Sequence, residues 1–153
     1  LPNLVLSGQL GYVHGRYRNI RFDISGDGII NDVDRDLKLP RLSPWTYGGG
    51  LTYDQKIGSL GIATARIDFT HRDSARFTDN NAGFLPAADM LDASLTYATA
   101  SQRWRLSIYG RNLLNEVTYG GDTPLSAAFG GPGASLSPLN KGRVIGGEVA
   151  LSF

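Results

Sequence analysis

Six stretches of this sequence alternate apolar and polar side chains at every second position, and none holds the roughly 18 consecutive apolar residues of a membrane helix. Period two is the period of a β-strand, whose successive side chains point to opposite faces. The first stretch runs from Leu4 to Tyr17, with Leu4, Leu6, Gly8, Leu10 and Tyr12 alternating with Ser7, Gln9 and Gly11. The second, WTYGGGLTY, puts Trp45, Tyr47, Leu51 and Tyr53 on one face. The third, LGIATARIDFT, sets Ala63, Ala65, Ile67 and Phe69 against Thr64, Arg66 and Asp68. The fourth, MLDASLTYA, sets Leu91, Ala93, Leu95 and Tyr97 against Asp92, Ser94 and Thr96. The fifth, WRLSIYGRNLL, sets Trp104, Leu106, Ile108 and Gly110 against Arg105, Ser107, Tyr109 and Arg111. The sixth, VIGGEVALSF, sets Ile145, Val149, Leu151 and Phe153 against Glu148 and Ser152. Leu60 and Ile62 fall on the polar face of the third stretch, which implies a bulge or a strand that starts later.

No apolar face carries a charge through its middle, while the opposite faces carry Arg66, Asp68, Asp92, Arg105, Arg111 and Glu148. The connections alternate in length. Those at 54–59 and 98–102 are short; those near 20–41, 72–88 and 120–142 are long and rich in Gly, Pro, Asn and Asp. Long loops are uncommon in a compact soluble domain. Short turns at one end and long loops at the other are the habit of outer-membrane barrels. Tyr53, Tyr97, Trp104 and Phe153 fall beside the short turns, and Tyr12, Trp45 and Phe69 toward the long loops. Two bands of amphipathic rings suit the two interfaces of a bilayer.

Composition bears on the alternatives. Twenty glycines with 41% hydrophobic residues supply little for a soluble core, so a soluble sandwich explains the alternation but not the loops or the aromatic bands. Fifteen basic against fourteen acidic residues is no electrostatic footprint for nucleic acid. The absence of cysteine excludes disulfides, thiolate zinc sites and cysteine nucleophiles. The expected fold is an all-β, antiparallel transmembrane β-barrel, of which residues 1–153 supply six strands.

The last residues, NKGRVIGGEVALSF, resemble the terminal strand of an outer-membrane protein, with Ile145, Gly147, Val149, Leu151 and Phe153 at alternate positions. Upstream, IYGRNLLNEVTYG resembles the penultimate strand of TonB-dependent receptors: an aromatic-rich strand, an Asn-Leu pair (Asn112, Leu113), a polar pair (Asn115, Glu116) and a nearby aromatic (Tyr119). LKLPRLSPWTYGGGLTY resembles the Leu-Pro-x-x-Pro start of a descending strand in that family. The resemblance implies a bacterial outer-membrane protein embedded in lipid, and recognition of Phe153 by the barrel-assembly machinery. It implies active transport of a scarce nutrient, commonly an iron–siderophore complex, driven by TonB. Cobalamin or carbohydrate fits as well.

Barrels of this family have about 22 strands around a plugged lumen. Six strands cannot close one, since the smallest have about 8, and an open edge in lipid is costly. Residues 1–153 are therefore expected to be the C-terminal segment of a larger receptor, its last six strands. The plug and the TonB-contacting segment are expected to lie outside it. A passive porin-like channel and a secreted calcium-binding β-domain are the other readings.

Residues 23–34, DISGDGIINDVD, carry oxygen-bearing groups at every second position. Against a twelve-residue calcium loop, Asp23, Ser25 and Asp27 take positions 1, 3 and 5, and Gly28 the sharp turn. Ile29 offers its carbonyl, Asn31 fits position 9 and Asp34 position 12, as in dockerin loops. No flanking amphipathic helix is visible, and such residues also favour plain turns. The loop is expected on the extracellular side, binding Ca2+ weakly. His14 and His71 are the sole histidines, each near an outer strand end. FGGPGASLSP lacks the Lys-Ser/Thr of a phosphate loop and reads as an external loop. No nucleophile-elbow motif supports a catalytic triad, and no enzyme is expected.

Overall fold

The computed structural model describes residues 3–130 and 133–153. In chain order its elements are β1 (Leu4–Tyr12), α1 (Asp32–Asp36), β2 (Trp45–Ile57), β3 (Gly61–Arg72), β4 (Ala75–Arg76) and β5 (Phe84–Leu85). They continue with β6 (Ala88–Thr99), β7 (Trp104–Arg111), β8 (Thr123–Pro124), α2 (Ala127–Gly130), β9 (Ser135–Leu136) and β10 (Val144–Leu151). The long strands form one antiparallel sheet in the order β1-β2-β3-β6-β7-β10, each beside its sequence neighbour. Two-stranded ladders β4-β5 and β8-β9 lie within the long loops.

The register aligns the alternation of all six strands. One row across the sheet reads Leu6, Leu51, Ile67, Ala93, Gly110, Ile145. The next row on the other face reads Val5, Thr52, Arg66, Ser94, Tyr109, Gly146. A slip of one residue in any strand would mix the two sets. No bulge interrupts β3, so Leu60 is explained by a later strand start, and Ile62 sits on the polar face.

The sheet has almost no interior. Ala75 and Ala88 are its buried apolar residues among those described, while Leu6, Ile108 and Ile145 are 69%, 62% and 74% exposed. A continuous apolar face that none of the described residues covers suits hydrocarbon, not water. Tyr12 and Trp45, with ring centroids 4.6 Å apart, mark the outer end of that face, and Tyr53 and Trp104 its inner end. Eight residues separate Trp45 from Tyr53, which is roughly 20 Å of height for a tilted strand and near the band of a membrane barrel. β1 and β10 each keep one unpaired edge, so the sheet is an open part of a barrel.

The inner turns are tight. Leu60 N–H donates to the Ile57 carbonyl at 2.9 Å, and Gln102 N–H to the Thr99 carbonyl at 2.8 Å. Gly61 follows the first turn at φ 153°, where a Cβ would collide with the Ala98 carbonyl.

Several expected boundaries move. β1 stops at Tyr12, not Tyr17: Val13 N–H still donates to the Pro44 carbonyl, but Pro44 has no N–H to continue the ladder. Gly15 then packs under Leu39 and Leu42 as the chain leaves the sheet. β2 runs on to Ile57, and β6 spans Ala88–Thr99, wider at both ends than expected. β7 stops at Arg111, not Leu114, because Asn112 turns the chain with φ 50°. β10 ends at Leu151, although Ser152 N–H still bonds the Arg103 carbonyl, and Phe153 is fully exposed.

Candidate functional site

The three long loops, 13–44, 73–87 and 112–143, leave the sheet at its outer end and tie to one another there. Asn81 exchanges two bonds with Lys38, accepting its N–H at 2.8 Å and donating to its carbonyl at 2.7 Å. The Arg41 N–H reaches the Arg76 carbonyl at 2.6 Å. Asp122 accepts from the Phe84 N–H and the Ser137 hydroxyl, both at 2.7 Å. The Ser135 hydroxyl, the Phe84 amide and the Ser137 hydroxyl hold its carboxyl below the usual carboxylate range. These bonds join residues far apart in sequence, so the outer end acts as one cap.

Under that cap the polar face opens into a cavity of about 620 Å³, in the range of small-molecule sites. Gln9, Thr46, Thr70, Arg72 and Met90 bring it the outer ends of four strands, and Arg41, Phe77 and Tyr119 the loops. Arg72 is half-buried and donates to the Pro86 carbonyl at 3.1 Å and the Ser43 hydroxyl at 3.4 Å. The Arg41 guanidinium lies 4.6 Å from the centre of the Phe77 ring. Alternation would have reached Arg72 by continuing Thr64, Arg66, Asp68 and Thr70 outward. Nothing in the sequence marks Arg41 or Phe77, because loop proximity joins them.

Of the charges expected on the polar face, Arg66 and Asp68 form a bidentate pair along one strand, at 2.6 and 2.9 Å. Arg105, Arg111 and Glu148 share that face but make no ion pair among the described residues. Asp92 accepts the Asn112 N–H at 2.8 Å.

Residues 23–34 close on themselves. Asp34 is fully buried; its carboxylate accepts the Ile24 and Ser25 N–H groups at 2.8 Å and the Asn31 N–H at 3.0 Å. Asp23 accepts from Gly26 and Gly28 at 2.7 Å and from the Ser25 hydroxyl at 3.1 Å. Gly28 has φ 93°, the sharp turn expected there. Asp27 accepts the Ile29 N–H and the Asn31 amide. The Asn31 amide oxygen takes the Val33 N–H. The Asn31 N–H beside Asp34, and the Gly28 N–H beside Asp23, lead the effects holding both carboxyls below the usual range. Among the described residues no amphipathic helix flanks the run, but a short helix starts inside it. Asn31 and Asp34 make a capping box that starts α1, though it lasts five residues. Among the described residues, no three His, Cys, Asp or Glu side chains gather to hold a metal.

His71 is spent elsewhere. It lies on the apolar face at the outer boundary, stacked on Tyr47 at 4.4 Å. Its ring nitrogens reach Asp89 at 2.6 Å and Asp73 at 3.1 Å. His14 lies in the loop after β1. The glycine-rich run 129–138 includes Gly131 and Pro132, outside the described residues; Ser135–Leu136 pairs with Thr123–Pro124.

A sheet with one face for hydrocarbon, one polar face, tight turns below and a joined cap above is the wall of an outer-membrane β-barrel. The chain belongs to the TonB-dependent receptor-like β-barrel family, whose profile matches residues 3–113. Barrels of this family reside in the bacterial outer membrane; the family is one of transport receptors, not of enzymes. The crystal structure of the ferric yersiniabactin uptake receptor FyuA from Yersinia pestis superposes with a TM-score of 0.68 at 18% identity. The match covers 78% of this chain and 18% of that one, and bears on the fold alone. No curated protein sequence matches the chain.

Proposed function

We propose that the chain is the C-terminal barrel segment of a receptor that imports a scarce nutrient, an iron–siderophore complex, with TonB coupling. The observation that carries this reading is the cavity of about 620 Å³ on the polar face, capped by interlocked outer loops. A nutrient arriving from outside would meet that cap first. The plug and the TonB-contacting segment belong to other parts of the same receptor, and Phe153 serves the barrel-assembly machinery. The uptake function named for FyuA supports the choice of ligand class. Cells expressing the intact receptor should take up a radiolabelled ferric siderophore, and a protonophore should stop that uptake. Receptor-dependent uptake that ignores the protonophore would instead mean a passive channel.

A second proposal concerns Asp23, Ser25, Asp27, Ile29, Asn31 and Asp34 as ligands of a structural Ca2+. What favours it is that Asp34 returns to Ile24 and Ser25 while Asp23 reaches Gly28, so the ends of the run meet. The cation would share oxygens that already accept N–H bonds, so binding is expected near the weak, extracellular range of about 10⁻⁴–10⁻³ M. Calorimetry on the intact receptor should register calcium uptake that Asp27→Ala removes. No heat at millimolar calcium would end the idea.

A further inference from the structure

β3 and β6 stop pairing at Arg72 and Ala88, and the β4-β5 hairpin begins further out, where Ala75 pairs with Leu85. Two short linkers, 73–74 and 86–87, join the hairpin to the sheet, and neither takes part in a ladder. Such a pair of linkers is a hinge, and the hairpin is a flap upon it. The flap carries ties to both neighbouring loops: the Arg76 carbonyl takes the Arg41 N–H, Asn81 meets Lys38 and Phe84 meets Asp122.

Two adjacent residues grip the hinge from opposite faces of the sheet. From the polar face, Arg72 donates to the Pro86 carbonyl at 3.1 Å and the Asp73 carbonyl at 3.4 Å. From the apolar face, His71 has Nδ1 2.6 Å from Asp89 Oδ1 and Nε2 3.1 Å from Asp73 Oδ1. Asp73 also accepts the Trp45 N–H at 3.1 Å, so a hold on its carboxylate braces the linker against β2. A neutral imidazole carries one N–H and one lone pair. That lone pair would face a carboxylate oxygen with no proton between them. Both contacts are satisfied together only by the imidazolium, which has two donors. The groups facing the ring agree: Tyr47 stacks on it from β2, Asp89 reaches it from β6 and Asp73 from the linker. Neither carboxylate pairs with a Lys or Arg among the described residues, so the ring is their counter-charge. A cation also suits the face of a tyrosine ring.

We propose that His71 is a proton-operated latch on this hinge: as an imidazolium it ties Asp73 to Asp89 and holds the β4-β5 flap in the cap, and as a neutral ring it releases the flap. The one proton left on a neutral ring stays on the shorter contact, with Asp89, so Asp73 and its linker come free. The hold is complete below the ordinary histidine value of about 6.5 and is lost as pH rises through the value the ring has in the fold. The latch acts on the flap whatever nutrient the receptor carries.

The test uses the intact receptor in lipid vesicles, with a nitroxide on Asp79→Cys at the exposed flap tip. Between about pH 6 and about pH 9, the mobile fraction of the label should at least about double. His71→Gln, neutral throughout, should give the mobile spectrum at both values. His71→Lys, charged throughout, should give a less mobile one than His71→Gln at both. His14→Gln should leave the pH response intact. Heat-dependent gel migration checks that each variant is folded. Nitrogen NMR of receptor with isotope-labelled histidine gives a second reading. The ring signal that His71→Gln removes should show both nitrogens protonated at about pH 6 and one at about pH 9. Label mobility that does not change with pH overturns the latch, as does a pH response that survives His71→Gln. A bare ring nitrogen at about pH 6 overturns it too, and so does a His71→Lys label as mobile as that of His71→Gln, since charge would then not hold the hinge.

Discussion

Ile108→Arg is expected to destabilise the folded receptor by about 2–4 kcal/mol, the cost of an arginine at the lipid-facing midplane of a barrel. Ile108 lies halfway along β7, 62% exposed, in the row with Tyr53, Ala65 and Leu95. None of the described residues covers it, so hydrocarbon is expected to. Ser107→Arg, one residue earlier, should cost no more than about 1.5 kcal/mol, chiefly the hydrogen bond that Ser107 shares with Thr96 at 3.0 Å. Ser107 is on the polar face, opposite Glu148, where a guanidinium gains a partner and stays in water. Urea unfolding of the intact receptor in lipid vesicles measures both. Equal costs would mean that the two faces have been assigned wrongly and that the sheet is not a membrane wall.

The second large effect is expected at Asn112. This residue ends β7 with φ 50°, a conformation that a residue with a short amide side chain tolerates better than most. Its side chain then pairs with Glu116, donating to the carbonyl at 2.9 Å and accepting the N–H at 2.8 Å. It is 3% exposed, so water cannot replace those bonds. Asn112→Ala should cost about 2–4 kcal/mol, from two lost bonds and a disfavoured backbone. Asn112→Gly should recover about 1 kcal/mol of that, because glycine accepts the backbone but makes no side-chain bond. The same unfolding experiment reads the pair. Alanine and glycine variants of equal stability would show that the backbone conformation carries no cost there.

Asn112 also explains the motif around it. Leu113 folds back over Gly110, where any Cβ would meet its side chain, and donates its N–H to the Leu91 carbonyl at 2.7 Å. Asn115 makes a second turn at φ 57° and accepts the Arg143 N–H at 3.1 Å. The Asn-Leu pair and the asparagine after it thus form a device that stops β7 and starts the outer loop. The strand stop is the physical content of that motif.

Alternation made the sheet legible. Each strand has period two, one face of each is free of charge at its centre, and a one-residue slip would put apolar groups into the lumen. Those three facts are local, so the faces of all six strands could be read from the chain alone. Strand ends could not. Tyr12 ends β1 because its partner strand runs back into Pro44, and β2 continues past Tyr53 because β3 is there to receive it. Both reasons lie in another segment.

The run 23–34 was half legible. Its oxygen spacing and the turn at Gly28 follow from residue type and the need for positive φ. That Asp34 would be buried under three N–H donors and would cap a short helix depended on how the loop closed.

The sequence by itself determined an antiparallel membrane wall, since hydrophobic alternation, glycine turns and aromatic end-markers act between neighbours in the chain. Only the tertiary structure decided the cap and its cavity. Asn81 meets Lys38, Asp122 meets Phe84, and Arg41 meets Phe77 across gaps of 43, 38 and 36 residues, and no local pattern encodes a contact between loops. Such contacts follow once the sheet has fixed where each loop begins and ends.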